Sequence, residues 1–159
     1  MFIKPNFNLE SIYDIDIAEL KSIGIKGLFF DLDSTLMKSK SGKFSFQTLQ
    51  FLNDLKTNFS LAIISNNSNM EYIEKAKAQI DIPIYAKAKK PNTRILLKAC
   101  RELGLKPSQV AMIGDRPLSD ILGGINANMT TILVDSISKS EENFIVRLAR
   151  FIERLTIID

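Results

Sequence analysis

The chain of 159 residues has no histidine and a single cysteine, Cys100. Without histidine, Ser-His-Asp triads, phosphohistidine chemistry and His-ligated zinc are excluded within this chain. Cys100 falls in the helical spacing Ile95, Leu96, Ala99, Leu103 and lacks a glycine-rich phosphate-cradling loop, so it reads as packing rather than as a nucleophile. No apolar run approaches the roughly 20 residues of a membrane-spanning helix, and residues 1–10 lack the apolar core of a secretory signal. The expectation is a cytoplasmic protein, peripheral at the inner face of the membrane if it meets a membrane at all. A P-loop of the form G-x-x-x-x-G-K-[ST] is also missing, which removes that class of nucleoside triphosphatase. Carboxylates, lysines and hydroxyls are left to carry the chemistry.

What is present is ordinary in amount: 45% hydrophobic and 25% charged residues, with a net charge of +3. That balance suits a globular fold able to bury a core without disulfides, and no linker composition or repeat interrupts it. Residues 1–159 are therefore read as one domain.

Five short apolar segments recur, at 26–32, 59–64, 83–86, 110–114 and 130–134. Helical patterns follow at 44–57, 69–79, 92–103, 117–127 and 141–156. A further helix starts near Asp16, where Glu19 completes a capping-box pattern, and stops at Gly24. This alternation predicts an α/β, doubly wound, three-layer Rossmann-like fold with a five-stranded, mainly parallel sheet. The last helix places Phe144, Ile145, Leu148, Phe151, Ile152 and Leu155 on one stripe, expected to face the core. Gly123 and Gly124 cost helix stability and imply close packing against a strand. Pro117 suits the first turn of its helix.

In such sheets ligands sit beyond the carboxyl ends of the strands, where strand order reverses. The polar residues cluster at those ends: Asp31-Leu32-Asp33-Ser34-Thr35 after the first strand, Ser65-Asn66-Asn67 after the second, Lys90-Pro91 before the helix that follows the third, and Gly114-Asp115 through Asp120 after the fourth. Asp31 and Asp33, two residues apart in extended chain, share a face while Leu32 points to the core. Two neighbouring carboxylates repel unless a cation or a shared proton compensates, and either arrangement serves phosphate chemistry.

These four motifs, in this order, resemble those of the haloacid dehalogenase-like phosphohydrolases over nearly the whole chain. The resemblance implies Asp31 as nucleophile, Asp33 as general acid and base, Ser65 and Asn66 as phosphate ligands, and Lys90 as phosphate clamp. It implies Mg²⁺ held by Asp31, Asp115 and the Asp33 carbonyl, with Asp120 and Thr35 supporting the site from behind. A hard divalent cation offsets the repulsion between an attacking carboxylate and a phosphate ester, and attack by Asp31 splits hydrolysis into two displacements. Lys87 and Lys89 lie beside Lys90, which is chosen because it directly precedes Pro91.

Gly114-Asp115-Arg116, Asp120 to Gly124 and the upstream Ser11-Ile12-Tyr13-Asp14-Ile15 are similar to the small bacterial YqeG-type subgroup, whose eukaryotic mitochondrial relatives dephosphorylate phosphatidylglycerophosphate. Ser34 stands where that subgroup often has Asn. The segment between the first two motifs has room for a loop and one helix but no large cap domain. Lys38, Lys40, Lys43, Lys87, Lys89, Arg94 and Arg116 are expected around the mouth, where they suit a phosphorylated substrate such as a lipid head group, or an anionic membrane surface. No nucleic-acid partner is expected. Alternatives from other classes are a phosphatase of a soluble or macromolecular ester, and a non-catalytic phospho-accepting or partner-binding module. A receiver domain fits poorly, since it takes phosphate on an Asp ending its third strand, where this chain has Tyr85-Ala86.

Overall fold

Strands buried on both faces read as continuous apolar runs, and the central segments of this chain are of that kind. The computed structural model describes residues 2–158. Its strands are β1 (Phe7–Leu9), β2 (Gly27–Phe30), β3 (Ser60–Ile64), β4 (Ile84–Tyr85), β5 (Val110–Gly114) and β6 (Thr130–Val134). The helices are α1 (Ile17–Ser22), α2 (Phe46–Leu55), α3 (Met70–Lys77), α4 (Arg94–Glu102), α5 (Leu122–Asn126) and α6 (Phe144–Arg154). All strand pairings are parallel, in the order β1-β6-β5-β2-β3-β4.

The sheet thus has six strands, not the five expected. The added one, β1, is three residues long and pairs Phe7–Leu9 with Ile132–Val134 along the far edge of β6. Three residues, half-buried Phe7 and Leu9 around exposed Asn8, carry too little periodicity to read as a strand, and it is pairing that makes them one.

Side chains alternate across the sheet with the strand period of two. Leu28, Phe30, Ile63 and Ile113 join one core layer with Leu20, Leu52, Leu55 and Ile73 from α1, α2 and α3. Phe29, Ile64, Val110 and Met112 join the other with Leu96, Ala99 and Cys100 from α4. Cys100 is buried and desolvation pushes its thiol up to about 11, as suits a packing residue. Gly124 packs closely on the sheet as expected, for a Cβ there would lie 2.6 Å from Thr131 Cγ2. Asp16 caps α1, its Oδ1 accepting from the Glu19 N–H at 3.0 Å. Pro117 begins a π-helical turn, Pro117–Ile121, that leads into α5.

The last helix contradicts its expected orientation. Phe144 and Ile145 are each 76% exposed, Leu148, Phe151, Ile152 and Leu155 are exposed as well, and Glu153 is its buried residue. The polar face packs inward because it has ionic partners there: Arg150 on Asp115 and Glu142, Glu153 on Arg116, and Arg154 on Asp135. Periodicity fixes that a helix has two faces, while the partners decide which one turns inward.

Between the first two motifs lie a bridged loop, α2 and β3, and no cap domain. From β2 the chain winds outward through β3 and β4, then returns to β5 on the other side of β2. The carboxyl ends of β2 and β5 therefore flank the switch point where a ligand crevice opens.

Candidate active site

Asp31 directly follows β2, and its N–H still donates to the Ile113 carbonyl at 2.9 Å, so β5 sets its position. Leu32 is fully buried in the core, as the alternation required. The chain then turns tightly, with the N–H groups of Leu36 and Met37 donating to the Leu32 carbonyl.

Lys90 ties the motifs together. Its Nζ is buried and donates to Asp31 Oδ1 at 2.8 Å, Asp120 Oδ1 at 2.7 Å and the Ile64 carbonyl at 2.6 Å. All three of its protons are thereby used. Burial alone would lower its pKa, but the carboxylates of Asp120 and Asp31 outweigh burial and hold it above the ordinary lysine value. Asn66 fixes the backbone here, its Oδ1 accepting from the Lys90 N–H at 2.7 Å and its Nδ2 donating to the Lys90 carbonyl at 3.1 Å. The neighbouring Lys87 and Lys89 are exposed.

Asp115 follows β5. Its Oδ1 accepts from the Thr35 hydroxyl at 2.9 Å, and its Oδ2 from Arg150 Nη1. Asp120 sits under Gly114, where a Cβ would come within 2.2 Å of its Oδ2, so glycine is required for that approach. The same Oδ2 accepts from the Arg116 N–H at 3.0 Å. Carboxylate oxygens of Asp31, Asp115 and Asp120 lie within 4.8 Å of one another.

Asp33 lines the same cavity as Asp31 and is held by its own partners. Tyr72 of α3 donates to its Oδ1 at 2.6 Å, and Asn67 Nδ2 to its Oδ2 at 3.2 Å. Ser65 is buried, and its Oγ accepts from the Asn67 N–H at 3.0 Å, leaving its hydroxyl proton for another acceptor.

Burial, then the negative charge of Asp120, pushes Asp31 up to about 8 against the opposing pull of Lys90. Burial and Asp120 push Asp115 up to about 6, opposed by Arg150 and the Thr35 hydrogen bond. Three carboxylates, buried Asp115 and Asp120 and half-buried Asp31, face two cations, Lys90 and Arg150, which leaves a deficit of positive charge. Hard oxygen donors with surplus negative charge fit Mg²⁺ or a similar divalent cation.

These groups open into a cavity of about 510 Å³ lined also by Lys40, Ser119 and the segment Ser138, Glu141, Glu142, Asn143, Val146 and Arg150. The expected basic ring is thinner than supposed. Of its members Lys40 and Arg116 line the cavity, Lys38 pairs with Glu141 at 2.5 Å, and Arg116 is paired with Glu153. The sequence reading missed Tyr72, Glu142 and the inward reach of Arg150. The one available signal for Arg150 was its position off the apolar stripe of α6.

A family model described as HAD-hydrolase-like matches residues 87–153. The chain belongs to the haloacid dehalogenase-like phosphohydrolases, and within them to the YqeG-type group. It is 30% identical over 153 residues to the probable phosphatase YqeG of Bacillus subtilis, covering 96% of this chain and 88% of that protein. It is 31% identical over 161 residues to phosphatidylglycerophosphate phosphatase 1, chloroplastic/mitochondrial, of Arabidopsis thaliana, where it spans 96% of this chain but 46% of that relative's length. Among solved structures, a haloacid dehalogenase-family enzyme of Bacteroides thetaiotaomicron, in complex with magnesium and inorganic phosphate, shares the fold. Its TM-score is 0.58 at 14% identity, covering 76% of this chain and 98% of that one.

Proposed function

We propose that the protein is a Mg²⁺-dependent phosphomonoesterase acting through an aspartyl-phosphate on Asp31, and that its substrate is phosphatidylglycerophosphate. The observation that carries the chemistry is Asp31 at the end of the central strand, ion-paired to buried Lys90 and beside Asp115 and Asp120. Asp31, Asp115 and the Asp33 carbonyl would hold the cation, while Asp120 fixes Lys90 and Thr35 fixes Asp115. Bound there, Mg²⁺ offsets the repulsion between carboxylate and phosphate and orients the phosphoryl oxygens.

A carboxylate oxygen of Asp31 attacks phosphorus, and the bond from phosphorus to the ester oxygen breaks. Asp33 delivers its proton to that departing oxygen. Asp33 then takes a proton from water, whose oxygen attacks the phosphorus of the aspartyl-phosphate, releasing inorganic phosphate and restoring Asp31. The Ser65 hydroxyl and the Asn66 N–H donate to the phosphoryl oxygens, and Lys90 neutralises their charge.

The lipid substrate is supported by the 31% identity to a relative named for it and by a crevice without a cap domain, which admits a head group carried on a bulky lipid. A small soluble phosphate ester is the second reading, favoured by a cavity of about 510 Å³ partly roofed by residues 138–150. Turnover of micellar phosphatidylglycerophosphate against soluble sugar and glycerol phosphates separates the two. The lipid is expected to have a kcat/KM at least about tenfold higher, equivalent to about 1.4 kcal/mol of added transition-state binding. Equal values would overturn the lipid reading and leave the hydrolytic chemistry standing.

A further inference from the structure

An amphipathic helix normally hides its apolar stripe, and α6 does the reverse. Its exposed residues are apolar with one ionic exception, and that exception, Arg147, is basic. The acidic member, Glu153, is buried on Arg116, while Arg150 and Arg154 are drawn inward to carboxylates. The acids nearest the face are also paired, Glu141 with Lys38 and Asp135 with Arg154. What remains toward solvent is apolar surface with positive charge, the signature of a helix that lies in a lipid interface.

We infer that α6 docks the protein on an anionic lipid bilayer, with its stripe from Phe144 to Leu155 among the acyl chains and Arg147 against the head groups. At the end of the helix Ile3 bridges to Ile157, leaving Phe2 72% exposed beside it. Along the helix runs a cleft of about 480 Å³ lined by Phe144, Leu148 and Phe151, by Lys139 and Arg147, and by Asp115, Asp135, Glu142, Arg150 and Arg154, which are ion-paired with one another. Glu142 and Arg150 line both this cleft and the catalytic cavity, so docking brings the cavity mouth to head-group level.

A second copy of the chain is a weaker occupant. A two-fold pairing through this face would set Arg147, its one exposed charge, against a copy of the same face that offers no acid to answer it, whereas anionic head groups supply that charge. Insertion into a bilayer needs no complementary shape. Docking rests on the lipid-substrate reading for its purpose, yet binding and hydrolysis are measured separately.

Flotation of the full chain with vesicles of phosphatidylcholine alone, or of phosphatidylcholine with phosphatidylglycerol, tests the inference without any phosphomonoester lipid present. Wild-type protein is expected to float with the anionic vesicles, less so at a few hundred millimolar salt. The double variant Phe144→Ser/Phe151→Ser should lose at least about tenfold in vesicle affinity, because two aromatic side chains no longer leave water. Arg147→Glu should weaken binding to anionic vesicles without removing apolar surface. Both variants should hydrolyse p-nitrophenyl phosphate like wild type, which shows that they fold. Wild-type protein left in the soluble fraction, or variants that float as well as wild type, would overturn the inference. So would a wild-type dimer in light scattering that the double variant converts to monomer. Flotation without hydrolysis of phosphatidylglycerophosphate would refute the substrate and keep the docking surface.

Discussion

The Tyr72 hydroxyl donates a 2.6 Å hydrogen bond to Asp33 Oδ1, joining α3 to the loop after the central strand. Burial and this bond raise the phenol pKa above its ordinary value, so Tyr72 stays a donor throughout the working pH range. With Asn67 on the other oxygen, Asp33 is fixed in direction before substrate arrives.

Tyr72→Phe keeps the ring and removes the donor. A hydrogen bond to a charged group contributes roughly 1.5–3 kcal/mol, and part of that loss should appear as misplacement of Asp33. Steady-state kinetics on a soluble ester should show kcat lower by about 10-fold with KM little changed. A change confined to KM would mean that Tyr72 meets the substrate and does not position Asp33.

Lys90 is the hub of two buried ion pairs, and its side chain is 1% exposed. Lys90→Met removes the cation and strands Asp31 and Asp120, a change expected to destabilise the metal-free fold by about 3–5 kcal/mol. Urea unfolding at pH 9 reads it where both partners are charged, above the raised Asp31 value of about 8 and below the ordinary lysine value, which Lys90 exceeds in the fold. Unchanged stability would show that the pairs contribute nothing net.

The raised carboxylates link pH to metal. With Asp31 up to about 8 and Asp115 up to about 6, the folded metal-free protein holds protons that the unfolded chain releases from about pH 4 upward. Its stability therefore falls as pH rises toward 8. Magnesium binds the ionised carboxylates, so the melting-temperature gain from Mg²⁺ over EDTA should grow between pH 5.5 and 8. A gain independent of pH across that window would refute the linkage.

Much of this site was legible because strand chemistry is local. Asp31 and Asp33 end an apolar run, and their period-two spacing gives their common face without further knowledge. Lys90 was singled out by its place before Pro91, and burial separates it from the exposed Lys87 and Lys89. The contact between Tyr72 and Asp33 spans 39 residues and depends on how α3 packs, which no spacing reveals. The same holds for α6: its stripe was visible, but the ion pairs of Arg150, Glu153 and Arg154 that turn it outward join elements brought together only by the fold. The edge strand β1 was hidden because its three residues become a strand only by pairing with β6.

The central claim is covalent phosphate on Asp31, and Asp33→Asn tests it most directly. That variant keeps the nucleophile and loses the base needed to activate water, so turnover should drop by about 10²–10⁴-fold and the acyl-phosphate should accumulate. Rapid acid quench of the variant with Mg²⁺ and a phosphomonoester, followed by peptide mass spectrometry, should find phosphate on Asp31, and the Asp31→Asn protein should carry none and turn nothing over. Phosphate on another residue, or full activity in Asp31→Asn, would contradict the assignment.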